Sequence, residues 1–456
     1  MLSEIGSLLI VVSSATYGNG DWRGVVESLR VKHEGVRSEV LVSAPGVEDS
    51  LEGVRDRRPR YLAFVMRPEE VDFKTVLKLR RLVREVDDDP YDDAIWGIVT
   101  GPDAASAKRI ASSFEPRAIT SVLSTTGVGD DLVDGPVTRF SDGYPEGEWS
   151  VKKAGGTAEK HRRDGDISDV FAEAWREIDP DLIVTSSHAS QRNLEMPFSR
   201  GNIIAKNGVF CTYPDFKLID YSTGRFKGPQ GGEAKAVALV APKREKVWVA
   251  AGNCLIADNL PSGGTDSMAM TALGFGKVNQ FVGYTATTWF GEIGWDTWRY
   301  FGSYGYPLNE SYFAANQYLL YKLSLSTEGA EKFKPEFNSA AEYDHLLSQV
   351  KDSHITLKHR VDPQQLCGIL WDRDATVFYG DPLQRTGIEN ARRRARPKWD
   401  EKALPLLIVF PEAKRGRRLV SAPDGFEVVT ADDFALVVKW PELSDGWEHQ
   451  LTWSDF

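Results

Sequence analysis

Two stretches of the sequence, DLIVTSSH at residues 181–188 and VWVAAGNC at residues 247–254, have the same form. Each begins with a mostly apolar run and continues through small residues to a single reactive side chain, His188 in the first and Cys254 in the second. Apolar runs of roughly four to eight residues, bounded by turn-forming residues, are typical of buried strands. We therefore predict two buried strands, each leading at its carboxyl end to a reactive side chain.

Similar apolar runs alternate with segments of helical periodicity along most of the chain. The predicted strands occupy residues 8–12, 61–65, 94–99, 118–123, 182–184, 247–251 and 278–284. The predicted helices occupy residues 76–86, 103–112 and 166–178. Strands that alternate with helices are typical of a mostly parallel sheet flanked by helices, so we predict an α/β fold.

Two changes of pattern divide the chain. Glu115, Pro116 and Arg117 interrupt the first series of strands and helices, which then begins again. An arginine-rich segment from Arg392 to Arg396 precedes three predicted strands without helices between them, at residues 404–410, 426–430 and 434–440. We predict two α/β subdomains in tandem, at residues 1–116 and 117–388, and a small all-β module at residues 389–456.

The composition excludes several classes of function. The chain has 456 residues and a net charge of −11, which argues against nucleic acid as a partner because phosphate binding needs a basic face. No segment approaches the roughly 18 consecutive apolar residues of a membrane span. The apolar run at residues 8–12 lacks a preceding basic segment and a following cleavage site, so no signal peptide is visible. We expect a cytoplasmic protein unless a signal was removed before the numbering begins.

Three cysteines, Cys211, Cys254 and Cys367, are too few for a disulfide framework, and no pair has CxxC spacing. The histidines show no metal-ligand spacing either, so we predict no zinc site. Cys211 and Cys367 are interpreted as buried structural residues, the latter beside a predicted strand at residues 368–370. Cys254 could have the same role, and His188 could be a hydrogen-bonded histidine at the end of a strand.

The alternative for Cys254 and His188 is catalysis. Ligands bind beyond the carboxyl ends of parallel strands, so both side chains would meet there if their strands are neighbours. A nearby imidazole activates a thiol and later protonates the leaving amine. Small residues around the pair would let a substrate backbone approach closely, and the N–H groups of Cys254 and Ala189 could face a developing oxyanion.

The order of these blocks resembles the caspase–legumain–gingipain clan of cysteine peptidases, where a hydrophobic block ending in histidine precedes one ending in cysteine. Further segments resemble the gingipain family, namely DDPYDDAIWG at residues 88–97, NCLI at 253–256 followed by VGYT at 282–285, and FYGDPL at 378–383. The resemblance covers roughly residues 1–388. It implies caspase-like, mostly parallel sheets, an immunoglobulin-like β module after them, and cysteine endopeptidase activity on peptide or protein substrates.

The resemblance also implies site residues beyond Cys254 and His188. Ser186 and Gly252 stand where the family lines its substrate pocket, and Trp289 stands where a tryptophan closes it. Asp142, in a loop before the His188 strand, would orient the histidine or lie in the pocket, and an acid there would favour a basic P1 residue. Ala189 departs from the clan, which usually has glycine after the histidine, and the interval from His188 to Cys254 is longer than in the family.

No cofactor is expected for such a reaction, although gingipains bind calcium. A structural calcium ion could be held by Asp164, Asp166 and Asp169, for which helix capping is the competing interpretation. An arginine-specific peptidase could also process itself at Arg392 to Arg396. Two other functions stay open, a catalytically inactive peptidase-like binding scaffold and a thiol hydrolase that acts on a small amide.

Overall fold

A computed structural model describes most of the chain. The described residues are 6–113, 118–213, 219–220, 225–226, 236–260, 266–336, 343–353, 355–358, 362–388, 399–400, 402–414, 416–441, 443 and 447–454. The predicted boundary at residue 116 and the segment from Arg392 to Arg396 lie outside them. The division into residues 1–116, 117–388 and 389–456 therefore stays a prediction.

Twelve strands form one continuous sheet. In chain order they are β1 Leu8–Ser13, β2 Ser38–Ser43, β3 Tyr61–Val65, β4 Ile95–Val99, β5 Val122–Ser124, β6 Val137–Phe140, β7 Glu148–Lys152, β8 Ala158–Arg162, β9 Leu182–Thr185, β10 Lys246–Ala250, β11 Val278–Tyr284 and β12 Thr376–Tyr379. Their order across the sheet is β2-β1-β3-β4-β12-β11-β10-β9-β5-β6-β7-β8. The prediction of an α/β fold built on a mostly parallel sheet is confirmed.

The two predicted groups of strands are joined within this sheet by β12. Tyr379 of β12 lies opposite Ile98 of the parallel strand β4 and opposite Phe281 of the antiparallel strand β11. Because β12 is parallel to one neighbour and antiparallel to the other, β1–β4 run in the opposite direction to β5, β6 and β9–β11. The carboxyl ends of β9 and β10 therefore lie at the edge where β12 begins.

Helices cover this sheet. The longer ones are Gly20–Lys32, Phe73–Val83, Ala104–Ser112, Ser168–Ile178, Glu292–Gly302, Leu308–Ser326, Tyr343–Asp352 and Pro363–Ala375, with shorter ones at Ser14–Gly18, Leu51–Arg57 and Met268–Leu273. The strand predicted at residues 368–370 is wrong, because these residues lie inside the helix Pro363–Ala375. Asp362 caps that helix and proline occupies its first turn, two helix-start signals that outweigh the short apolar run.

Buried ion pairs connect elements that are distant in sequence. Asp381, in the segment FYGDPL, is fully buried and lies 2.6 Å from Nζ of Lys32 and 2.7 Å from Nε2 of His33 at the end of the helix Gly20–Lys32. These two partners hold the pKa of the Asp381 carboxyl well below its usual range, although burial opposes them. The segment therefore connects the end of β12 to the helix Gly20–Lys32.

The C-terminal region contains only β-strands and a short 3₁₀ turn among its described residues. The strands Leu406–Val409, Phe434–Lys439 and Glu427–Thr430 form an antiparallel sheet, and Arg418–Ser421 pairs with Thr452–Ser454. This confirms a small β region, whereas its likeness to immunoglobulin domains stays a proposal. Within the described part of the chain, no helix has both the length and the apolar character that crossing a membrane requires.

Candidate active site

The strands that lead to His188 and Cys254 are neighbours in the middle of the sheet. β9 and β10 pair in parallel, with Leu182 opposite Val247 and Thr185 opposite Ala250. The N–H of Ala251 donates to the carbonyl oxygen of Thr185 over 2.8 Å, just beyond that register. His188 and Cys254 follow within four residues of this bond, so both leave the sheet at the same edge.

A buried amide joins the two segments beyond the strands. Nδ2 of Asn253 lies 2.9 Å from the carbonyl oxygen of Ser187 and 3.2 Å from its Oγ. Oδ1 of Asn253 accepts a hydrogen bond of 2.6 Å from the hydroxyl of Thr185. Asn253 has no exposed surface. The residue before Cys254 is therefore bonded to the residue before His188.

Cys254 is partly buried at the point where the chain reverses direction. Leu255 has a φ of +58°, a left-handed conformation that is uncommon for a residue with a branched side chain. The chain then returns beside β11, since the N–H groups of Leu255 and Ala257 donate to the carbonyl oxygens of Ala286 and Tyr284. This reversal leaves Cys254 at the tip of a tight turn without the flanking glycines of a nucleophile elbow.

The thiol of Cys254 contacts the segment after β11. Its Sγ accepts a hydrogen bond of 3.3 Å from the backbone N–H of Thr288. Burial raises the pKa of the thiol, and the Thr288 N–H acts in the opposite direction because it stabilises the thiolate. Burial therefore favours the neutral thiol, so a reaction at Cys254 needs a base.

His188 is exposed, and its backbone is held by a short hairpin. Its carbonyl oxygen accepts from the N–H of Glu195 over 2.9 Å, and the N–H of Ser190 donates to Asn193 over 3.0 Å. Ala189, between these two bonds, lies opposite Leu194 and is buried. In such a non-hydrogen-bonded pair the N–H of Ala189 points away from Leu194. The hairpin thus fixes the direction of an N–H next to His188.

The predicted pocket residues Ser186 and Gly252 are in close contact. A Cβ atom at Gly252 would lie 2.5 Å from Oγ of Ser186 and 3.5 Å from Nε1 of Trp295. A side chain at residue 252 would therefore require the Ser186 hydroxyl to shift. Trp289 follows Thr288 and is 43% exposed. Trp295 lies against Gly252, although the sequence analysis selected Trp289 as the tryptophan of the pocket.

Asp142 lies further along the same edge of the sheet. It follows β6, and β5 separates β6 from β9, so the Asp142 backbone is roughly 10 Å from the end of β9 at the usual strand spacing. Its side chain is exposed in a turn where Oγ of Ser141 accepts from the N–H of Gly143. The roles predicted for Asp142 and for the other site residues stay predictions.

Asn253, Thr288 and Asp372 were missed by the sequence reasoning. Asp372 is fully buried and accepts a hydrogen bond of 2.6 Å from the N–H of Glu292, at the start of the helix Glu292–Gly302. Burial raises the pKa of Asp372 to about 8, so the negative charge by which this acid disfavours a thiolate at Cys254 develops only near and above that pH. The sequence shows each of these residues but not their partners, which come from distant segments.

Two of the three acids at residues 164–169, Asp166 and Asp169, make local contacts. Asp166 accepts from the N–H and hydroxyl of Ser168, and Asp169 pairs with Arg163. Among the described residues, Asp87, Asp89 and Asp93 each have one carboxylate oxygen that lies within 4.8 Å of those of the other two. Carboxylates at this spacing suit a hard cation such as calcium. The structural calcium ion stays a prediction.

Comparison with known proteins finds little similarity to this chain. No family model matches the chain, and no curated protein matches it. A solved structure described as "Structure of Protease" aligns with a TM-score of 0.44 and 9% identity, covering 97% of this chain and 93% of that chain. Similarity at this level assigns neither a family nor a reaction to the chain.

Proposed function

We propose that the chain is a cysteine endopeptidase of the gingipain-like, caspase-related type, with Cys254 as nucleophile and His188 as general base. The observation that supports the proposal is the parallel pairing of β9 and β10, which brings the residues after both strands to one edge of the sheet. Nucleophile and base need this neighbouring arrangement, since the base must take the thiol proton as the sulfur attacks.

The reaction proceeds through two covalent steps. His188 takes the proton of Cys254, and the sulfur adds to the carbonyl carbon of the scissile bond to form a tetrahedral oxyanion. The oxyanion collapses, the C–N bond breaks, and the protonated His188 returns its proton to the leaving amine. His188 then takes a proton from water, and the resulting hydroxide adds to the carbonyl carbon of the thioester. The C–S bond breaks, the carboxylic acid leaves, and the protonated His188 returns its proton to the sulfur of Cys254. No cofactor enters these steps, and calcium would serve only as a structural ion.

The groups around the pair fit the remaining roles. The N–H of Ala189, directed by its hairpin, and the N–H of Cys254 would stabilise the oxyanion. Ser186 and Gly252 would line the substrate pocket with Trp289 as a wall, and Trp295 adds an aromatic surface beside Gly252. Asp142 would orient His188 or select a basic P1 residue. An extended peptide or protein segment would bind beyond the carboxyl ends of β9 and β10.

A second candidate is a catalytically inactive scaffold that binds proteins through this surface. The burial of Cys254, which raises the pKa of its thiol, favours this alternative. Exposed aromatic rings beside the site suit it as well, since Trp289 is 43% and Phe290 is 50% exposed. A thiol hydrolase for small amides remains the third possibility, and no feature of the site favours it.

A quenched fluorescent peptide library distinguishes these functions. We expect the wild-type protein to cleave peptides, and we expect iodoacetamide, Cys254→Ala and His188→Ala each to abolish cleavage. Cys211→Ala should retain it, because Cys211 is buried in the strand Val209–Tyr213, which pairs with Asn202–Lys206 outside the twelve-strand sheet. Cleavage that survives Cys254→Ala would overturn the mechanism. An absence of cleavage together with an unreactive Cys254 supports the scaffold, and hydrolysis of small amides alone supports the third function.

A further inference from the structure

We infer that Asn253 is a positioning residue for the proposed reaction. It holds the segment that carries Cys254 against the segment that carries His188. This inference rests on the proposed function, because positioning has meaning only if the two side chains react together. The paired register of β9 and β10 ends at Thr185 and Ala250, whereas the reactive residues lie three and four residues further on. The Asn253 amide bridges the two segments across that interval.

The orientation of this amide is fixed at both ends. The indole N–H of Trp248 donates to Oγ1 of Thr185 over 2.9 Å, so the Thr185 hydroxyl must direct its own proton elsewhere. That proton goes to Oδ1 of Asn253 at 2.6 Å. At the other end, the carbonyl oxygen of Ser187 can only accept, and it receives Nδ2 of Asn253. Donor and acceptor requirements therefore agree along Trp248, Thr185, Asn253 and Ser187.

The hydrogen bonds of Asn253 affect the proposed reaction through the distance between Cys254 and His188. A catalytic base contributes about 10²- to 10⁴-fold to a rate only when it lies within hydrogen-bond reach of the proton that it removes. Asn253 and Ser187 directly precede the two reactive residues, so their hydrogen bonds set how far apart the backbones of Cys254 and His188 can move. Asn253 is fully buried and contacts no solvent. It acts through the two neighbouring residues and not on the substrate.

Asn253→Ala removes the bridge. Thr185→Val removes the partner of Oδ1 and the acceptor of the Trp248 indole N–H, but it keeps the hydrogen bonds between Asn253 and Ser187. Asn309→Ala is the matched control, because Asn309 is also a buried asparagine whose Nδ2 donates to a backbone carbonyl, that of Pro382, at 2.7 Å. Each variant is first checked for folding by circular dichroism. Peptide cleavage then gives kcat and KM, and peptide mapping gives the iodoacetamide alkylation rate of Cys254 at pH 7, in wild-type and His188→Ala backgrounds.

We expect Asn253→Ala to lower kcat at least about tenfold, while KM changes less than about threefold. Alkylation of Cys254 should slow at least about tenfold in the wild-type background and change little once His188 is absent, since the amide acts through the histidine. Thr185→Val should also lower kcat and the alkylation rate of Cys254, but by less. It replaces Asn253→Ala as the test variant if Asn253→Ala does not fold. Asn309→Ala should leave both rates unchanged.

Two results would overturn the inference. One is an unchanged kcat and alkylation rate in folded Asn253→Ala, and the other is an equal slowing of alkylation with and without His188. Failure of the proposed function looks different, because the wild-type protein would then cleave no peptide. In that case the alkylation rates of the four combinations of Asn253→Ala and His188→Ala still show whether the amide couples the two side chains.

Discussion

The backbone nitrogen of Thr288 lies 3.3 Å from Sγ of Cys254, within hydrogen-bond distance of the sulfur. This N–H is the hydrogen-bond donor that favours the thiolate, whereas the burial of Cys254 favours the neutral thiol. The reactivity of Cys254 therefore depends on the segment after β11, which lies outside the strand that leads to this cysteine.

Removal of the Thr288 N–H should make Cys254 less reactive. Thr288→Pro deletes this donor, so the pKa of the thiol should rise further and alkylation at pH 8 should slow by a few-fold. Thr288→Ser keeps the N–H and a hydroxyl and serves as the control. The pH dependence of iodoacetamide alkylation, followed by peptide mapping at Cys254, checks this. Coinciding profiles for Thr288→Pro and wild type would show that the N–H has no effect.

The buried pair of Arg80 and Asp92 should be essential for stability. Nη1 of Arg80 lies 2.8 Å from Oδ2 of Asp92, and neither side chain is appreciably exposed. Arg80→Met leaves Asp92 without its cationic partner, at a cost of about 3–5 kcal/mol in the free energy of unfolding. Arg30→Met, which breaks an exposed pair with Glu27, should cost less than about 1 kcal/mol. Urea unfolding of both variants tests the contrast, and equal losses would contradict it.

The acids after the helix Phe73–Val83 should make stability depend on pH. Burial and the neighbouring Asp87 raise the pKa of Asp89 to about 7. A carboxyl whose pKa is higher in the folded state stabilises the fold fully below its unfolded pKa of about 3.9. That contribution is lost as the pH rises towards 7, because the folded protein must then give up a proton that it binds tightly.

Asp89→Asn should therefore reduce the loss of thermal stability between pH 5 and pH 8. The amide keeps an oxygen for the N–H of Tyr91, which donates to Asp89 over 2.8 Å. Asp56→Asn, on the exposed face of a short helix, is the control and should follow the wild type. Melting temperatures at the two pH values check this. If Asp89→Asn loses as much thermal stability between pH 5 and pH 8 as the wild type does, Asp89 does not cause that loss.

Self-processing at the basic segment is a further prediction. If the peptidase prefers a basic P1 residue, incubation of the wild-type protein should release fragments that end between Arg392 and Arg396. Cys254→Ala should stay intact under the same conditions, and addition of wild-type enzyme should restore its cleavage. Intact mass measurement identifies the ends. The prediction fails if neither protein is cut there, or if Cys254→Ala alone is cut as readily as wild type.

Much of the fold could be predicted because the decisive patterns are local. The apolar run at residues 278–284 is the strand Val278–Tyr284, and the run at 182–184 lies in Leu182–Thr185. The strand Ser38–Ser43 was missed because it lies at an edge of the sheet and is half-buried, without a continuous apolar run. The joining of all twelve strands through β12 was also missed, since pairing between residues 98 and 379 leaves no local signal.

For the candidate site as well, some residues could be predicted from local sequence whereas their contacts could not. Cys254 and His188 could be proposed from their position after two apolar runs, because chemistry in parallel sheets collects beyond strand ends. The contacts that surround them come from segments far away in sequence, such as Thr288 against Cys254 and Glu292 against Asp372. Asn253 was visible beside Cys254, but its hydrogen bonds to Thr185 and Ser187 required the register of β9 and β10.

The central claim, that Cys254 attacks a peptide carbonyl with His188 as its base, is tested most directly with a peptidyl acyloxymethyl ketone. This electrophile needs a bound peptide and an activated nucleophile, so its adduct marks the attacking atom. We predict that mass spectrometry finds the adduct on Cys254 of the wild-type protein and that His188→Ala reduces labelling at least about a hundredfold. An adduct on another residue, or equal labelling without His188, would contradict the proposed mechanism.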